Sequence, residues 1–382
     1  MRILYVAPDV PVPHAGRFLG GSTHVLKISE SLAKRGHEVL IISRRMKGQA
    51  KFEKIADKIV TRRFYRGLFL SLEGKPKQKS KALLNKLIKI VESLYFTVYR
   101  LVLTIYVLWL MSKRSFDLVI ERNSAKGIGA FPAKIFRVKC VVEVIDPDFN
   151  IFQLRFADKI LAYTRDIIPE DCQTKVTLTH AGVDIELFRP FNSDDIREKF
   201  GLRGKRVVVY VGETSEWHGA DLLVRIAEKI SSNVVFLMVG KNLELLRREV
   251  EKKSLSRKFI FVGFVKHEDV PRFISVADVT IAPYRKTKKM RKFYFSPIKI
   301  FEYMACGKAI IASDLEMIRD IISANRCGLL AKPGNVEDFA SKIEVLLKDK
   351  RMRKRMEKNG RKAALKYTWD RVADAILSDY HG

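Results

Sequence analysis

Short apolar runs rich in β-branched residues recur along the chain in two separate series, each run followed by a longer amphipathic or irregular stretch. The later series is the cleaner. Val207 to Val211, Val234 to Val239, Phe259 to Val262, Val279 to Ala282 and Ala309 to Ala312 are almost wholly apolar, as strands become when crossover helices cover both faces of a parallel sheet. The earlier series opens with Ile3 to Ala7, a glycine-containing loop at Gly16 to Gly21, a helical stretch at Thr23 to Lys34 and a strand at Glu38 to Ser43. That order is a βαβ unit. Asp117 to Glu121, Lys139 to Ile145 and Lys159 to Tyr163 continue it, so the pattern predicts an α/β chain with two parallel sheets.

At 382 residues the chain exceeds what one hydrophobic core organises, and two domains follow. Phe188 to Ser193 holds Pro190 and polar residues with little periodicity, which places a linker there and predicts domains over 1–187 and 188–366. Residues 367–382 are predicted to form a terminal amphipathic helix that packs back across both domains. Cys140, Cys172, Cys306 and Cys327 have neither close pairing nor zinc-ligand spacing, so neither disulfides nor a metal are expected. The first apolar stretch is too short for a signal peptide, and a cytoplasmic location is expected.

Net charge is +29, with 72 Lys and Arg against 43 Asp and Glu. Such a field attracts phosphate in nucleic acid, anionic lipid or a phosphorylated substrate. No nucleic-acid-binding motif accompanies it, and a nucleic-acid partner is not expected. Fifteen Lys or Arg against four Asp or Glu fall within 51–114, a segment read as an insertion. Inside it Leu94 to Met111 is nearly continuous apolar sequence broken by Arg100. Spanning a bilayer there would divide one sheet between compartments, which leaves a buried core helix or a helix lying in an anionic membrane interface. A second basic run, Arg285 to Lys292, is either a solvated loop or a collector of phosphate.

The sharpest local signal follows that run, from Phe293 to Ser313. Ser296 suits an N-cap and Pro297 the first helical position, so a helix should present its free amides and positive dipole end to an anion. A diphosphate fits such an end. Lys299 adds a cation, and Glu302 offers a carboxylate able to accept two hydrogen bonds from a ribose diol. Gly307 ends the helix before the next strand.

With Ser296-Pro-x-Lys-x-x-Glu-Tyr-Met-Ala305 the chain resembles the family 4 glycosyltransferases, retaining enzymes of the GT-B fold. Gly20-Gly21, Glu121-Arg122-Asn123, Ala181-Gly-Val-Asp-x-x-x-Phe-x-Pro190 and Val211-Gly-Glu-Thr-Ser-Glu-Trp-His-Gly219 extend the likeness in order and spacing. The resemblance implies two Rossmann-like domains facing across a cleft. It further implies a nucleotide-sugar donor held by Gly212, by Glu302 at the ribose and by the amides of Ser296, Pro297 and Ile298, with Gly20 and Gly21 closing over its phosphates. Two positions depart from the commoner pattern. Tyr294 stands where many members carry a first glutamate, and Glu213 and His218 stand where they carry a phosphate-binding Arg and Lys. Lys299 and Arg285 are the candidates to replace that charge.

His218 would either donate to the leaving phosphate or merely cap the turn at Gly219. On the acceptor side His14, Arg122, Glu143 and Asp146 fall on or after strand ends, where open α/β sheets bind ligands; Glu143 with Arg122 is equally a structural ion pair. Lys299, His218 and Asp146 are the catalytic candidates. The expected activity is retaining transfer of a hexosyl or N-acetylhexosaminyl group from a UDP- or GDP-sugar to a lipid-linked or glycan acceptor, with no cofactor or metal, on the inner face of the cell membrane. A sugar-nucleotide epimerase on the same fold, or a non-enzymatic basic protein that binds anionic membranes or nucleic acid, are the alternatives.

Overall fold

The computed structural model describes residues 1–13, 19–65, 82–231, 233–286 and 297–380. His14, Tyr294 and Ser296 therefore lie outside the described residues, as do parts of both basic segments. The chain divides into two compact units, Met1–His180 with Val372–Gly382, and Ala181–Arg371.

In the first unit the strands are β1 (Arg2–Ala7), β2 (Glu38–Arg45), β3 (Phe52–Ala56), β4 (Ile59–Tyr65), β5 (Leu118–Arg122), β6 (Lys139–Val144), β7 (Lys159–Ala162) and β8 (Val176–Leu178). They form one sheet in the order β3-β4-β2-β1-β5-β6-β7-β8, parallel except for β3, which runs antiparallel to β4. Because β1 is paired on both edges and covered on both faces, Ile3 to Ala7 are all fully buried. Leu4 and Val6 point to the face that also receives Leu103 and Val107 of helix Ala82–Lys113.

Segment 51–114 is thus not wholly an insertion, since β3 and β4 extend the sheet. Their charges mask the period of two. Arg63 on β4 is buried, and its guanidinium donates to the Val12 carbonyl at 2.9 Å, the Ala50 carbonyl at 3.0 Å and Glu53 at 2.6 Å. A buried arginine with those partners satisfied sits where a strand pattern calls for an apolar residue. The glycine-containing loop also needs correcting: Gly20 and Gly21 lie in the first turn of helix Leu19–Lys34. Glycine is tolerated there because the first four amides of a helix have no intrahelical partner to lose.

The second unit holds β9 (Arg206–Val211), β10 (Val234–Val239), β11 (Phe259–Gly263), β12 (Val279–Ala282), β13 (Ile310–Ser313) and β14 (Gly328–Ala331). All are parallel, in the order β11-β10-β9-β12-β13-β14. The strand order reverses between β9 and β12, and ligands of open α/β sheets sit at the carboxyl ends of strands at such a point. β1 and β5 make the equivalent reversal in the first unit.

Phe188 to Ser193 is not the boundary. Phe188 is buried, Arg361 donates to its carbonyl at 2.9 Å, and Ser193 Oγ donates to the Arg272 carbonyl at 2.9 Å, so this polar stretch is held inside the second unit. The division falls instead at His180, and the chain returns to the first unit at Val372, within helix Trp369–Leu377. There Lys159 on β7, itself buried, donates to the Ala375 carbonyl at 2.9 Å and to Ser378 Oγ at 2.6 Å.

Candidate functional site

The second unit's site is built on helix Ile298–Ala305, which follows β12 and precedes β13. Pro297 takes the N-cap position, with φ −81° and ψ 79° and no side-chain cap, one residue earlier in the helix frame than its expected first helical place. A proline carbonyl still accepts the first bond, from Ile300 N at 2.8 Å, and the amides of Ile298 and Lys299 before it have no intrahelical acceptor. At the far end Gly307 adopts φ 63° and closes the last turn through its N–H to the Met304 carbonyl at 3.0 Å. Tyr303 ties the helix to the sheet, its hydroxyl accepting from Val211 N at 2.9 Å.

That fastening carries Lys299 to the carboxyl end of β9. Its Nζ lies 4.4 Å from the ring centre of Tyr210 and 5.1 Å from that of Tyr284. Gly212 follows β9 at φ 139°, and a Cβ there would fall 2.7 Å from Nζ. Lys299 is buried, and its ammonium has no hydrogen-bond partner among the described residues. Burial lowers its pKa to about 7, against the opposing pull of Glu302 and Glu213. An ammonium between two aromatic faces with none of its three donors used is a cation waiting for an anion.

The turn beyond Gly212 supplies His218. Its Nδ1 is 2.6 Å from Ser215 Oγ and 3.8 Å from Glu213 Oε1, and its ring lies 3.7 Å from that of Trp217, which stacks on Tyr284 at 5.6 Å. Burial, then the Lys299 charge, lowers the His218 pKa to about 2, so the imidazole is neutral at physiological pH. Arg285 differs from its expected role: its guanidinium is paired with Asp221, which takes up the charge it was to lend to a phosphate.

Glu302 is buried one turn along the helix, with Oε1 3.2 Å from His267 Nε2. Sequence reasoning missed His267, because its partner is 35 residues away and no local spacing joins them. It also missed a cavity of about 310 Å³ at the ends of β10 and β11, lined by Gly240, Lys241, Arg247, Gly263 and Phe264 among others. Gly240 abuts Gly212 there: at φ 147°, its Cβ would lie 1.8 Å from the Gly212 carbonyl oxygen. Gly240→Ala is accordingly expected to destabilise the protein by roughly 3 kcal/mol or more, a fall in Tm of roughly 10 °C read by thermal melting.

A second polar cluster stands at the ends of β1, β5 and β6 in the first unit. Glu143 accepts from Tyr5 Oη and lies 3.0 Å from His24 Nε2. Burial pushes its carboxyl up, but His24, Tyr5 and Arg122 outweigh that and hold it below the usual value. The direct ion pair of Arg122 is instead with Asp9, Nε to Oδ2 at 3.6 Å. Nη1 of Arg122, Oδ1 of Asp9 and Oγ of Ser22 are buried and have no hydrogen-bond partner among the described residues. Gly21 faces this group, its Cβ position 3.5 Å from Arg122 Nη2, whereas Gly20 faces open space. Asp146 Oδ1 accepts from Asn123 Nδ2 at 2.7 Å and Asp148 N at 2.9 Å, which holds the turn after β6.

Lys299, His218, Gly212 and Glu302 are therefore gathered in one unit, and Arg122 and Glu143 in the other. Residues 192–363 match the family model described as glycosyl transferases group 1. Among curated proteins the chain is similar to alpha-D-kanosaminyltransferase of Streptomyces kanamyceticus, 23% identical over 69% of this chain and 70% of that protein. It is also similar to N,N'-diacetylbacillosaminyl-diphospho-undecaprenol alpha-1,3-N-acetylgalactosaminyltransferase of Campylobacter jejuni, 26% identical over 52% of each chain. The chain thus spans about half the length of the latter. Among solved structures, a glycosyltransferase from Rickettsia africae superposes with TM-score 0.74 at 18% identity, over 99% of this chain and 97% of that one. HepE of Anabaena in complex with UDP does so with TM-score 0.72 at 17% identity, over 99% of each. The fold is GT-B, with two Rossmann-like domains, and the match to the family model lies in the second.

Proposed function

We propose that the chain is a glycosyltransferase, moving a hexosyl or N-acetylhexosaminyl group with retention from a UDP- or GDP-sugar to a lipid-linked or glycan acceptor at the inner face of the cell membrane. The observation that carries this reading is the buried Lys299 ammonium, without a hydrogen-bond partner among the described residues, at the start of helix Ile298–Ala305 and beside Gly212. As the bond from sugar to diphosphate breaks, negative charge grows on the departing oxygen. A fixed cation and helix amides in a desolvated site stabilise that charge without reorganising. With those groups present, no metal or cofactor is assigned to the step.

With the Ser215 hydroxyl donating to Nδ1, neutral His218 carries its proton on Nε2 and donates it to a phosphate oxygen. Glu302, oriented by His267, accepts from the ribose diol. The base fills the cavity bounded by Gly240 and Gly263. The acceptor falls to the first unit, where the unused groups of Asp9 and Arg122 suit sugar hydroxyls that both donate and accept, Glu143 fixes the site from beneath, and Asp146 holds its turn. Family-model agreement over 192–363 supports the transferase, and the diphospho-undecaprenol acceptor in the name of the Campylobacter relative supports a lipid diphosphate.

Thermal melting with UDP, GDP and ADP tests the donor reading. At about one hundred times Kd, the cognate nucleotide is expected to stabilise by about 2.7 kcal/mol. No shift with any of the three removes the reading. Release of nucleotide from the sugar nucleotide only when acceptor is added separates transfer from epimerisation.

A further inference from the structure

Helix Ala82–Lys113 is long and apolar enough to cross a membrane by length and composition, yet its two faces have different fates. Leu103, Val107, Leu110 and Met111 are buried in the core of the first unit. Leu94, Val98, Leu101, Val102, Ile105 and Trp109 are each between 51% and 64% exposed. Their spacing of three, four and seven residues puts them on one side of the helix. A continuous apolar stripe of that length is not ordinary surface.

We infer that this stripe docks the protein on an anionic bilayer, the helix lying in the plane of the interface rather than crossing it. Crossing would strip Leu103 and Val107 from contact with β1, and the chain enters β5 in the middle of the same sheet four residues after the helix ends. Charge selects the occupant. A second copy of this chain would bring another +29 against the same face, whereas anionic headgroups are drawn to it. The fifteen basic residues of 51–114 lie on and around the helix in sequence, and Arg100 on the helix is exposed.

A cavity of about 230 Å³ opens on another side of the same helix, and Arg100 and Lys126 share its lining with Thr104, Phe131, Phe152 and Phe156. Lys126 is paired with Asp148 there. This surface stands independently of the sugar-transfer reading.

The test is cosedimentation of the full chain with vesicles of phosphatidylcholine alone or with about one-third phosphatidylglycerol. Binding is expected only to the anionic vesicles, and Leu101→Glu with Ile105→Glu is expected to weaken it at least about tenfold with an unchanged melting curve. Should that pair unfold, Val98→Gln with Trp109→Gln reads the same face. No binding by the parent, undiminished binding by a folded stripe variant, or a dimer that the stripe variant turns into a monomer would each overturn the inference.

Discussion

Lys299→Met is expected to lower turnover of the cognate sugar nucleotide by at least about 100-fold while raising the protein's melting temperature by roughly 5 °C at neutral pH. Both effects have one origin. The ammonium is buried between Tyr210 and Tyr284 without a hydrogen-bond partner among the described residues, so the unliganded fold bears a desolvation that Glu302 and Glu213 offset only in part and that a bound anion relieves further. The sign with pH follows from its lowered pKa, about 7 against an ordinary 10.5. Between those values the unfolded chain binds the extra proton, so the parent gains stability as pH climbs. The advantage of the methionine variant is therefore full below pH 7 and gone near 10.5. UDP binding runs the other way, since the ligand needs the charged form. Above pH 7 its Kd should rise by up to about tenfold per unit in the parent and stay flat in Lys299→Met, as isothermal titration would show. A parent whose affinity ignores pH across that window rules out this cation as the phosphate contact.

Glu302→Gln is expected to weaken nucleotide binding by roughly 10- to 100-fold, the worth of hydrogen bonds to a buried carboxylate. The amide keeps the volume and one acceptor oxygen but loses the charge facing His267 and the second acceptor for a diol. Two comparisons isolate the ribose. Inorganic pyrophosphate should bind parent and variant alike, and the loss on going from UDP to 2′-deoxy-UDP should be large in the parent and small in the variant. Equal losses in both proteins would mean that Glu302 serves only to hold His267.

The sheets were legible because their strands are buried on both faces and so read as unbroken apolar runs. β10 and β12 have the same limits in sequence and structure. β3 and β4 were not, because a strand can bury Arg63 when carbonyls and Glu53 satisfy it, and periodicity records apolarity rather than satisfaction. The helix of Lys299 and Glu302 was legible through its proline, lysine and terminal glycine. What surrounds it was not: the pairing of Arg285 with Asp221, of Glu302 with His267, and the abutment of Gly240 on Gly212 join positions 28 to 64 residues apart. Such pairings are made by the sheet order, which no local window contains. The long helix shows a third kind of limit, since its composition fits both a core and an interface, and only the fold reveals that each face takes one of the two.

The return of the chain at Val372 bears on how the protein is made. Lys159 stays without the Ala375, Ser378 and Asp379 oxygens that surround its ammonium until every residue of the intervening unit has left the ribosome. The nascent first sheet must wait for that segment until the intervening unit has been made, and the second sheet is free to consolidate before the first.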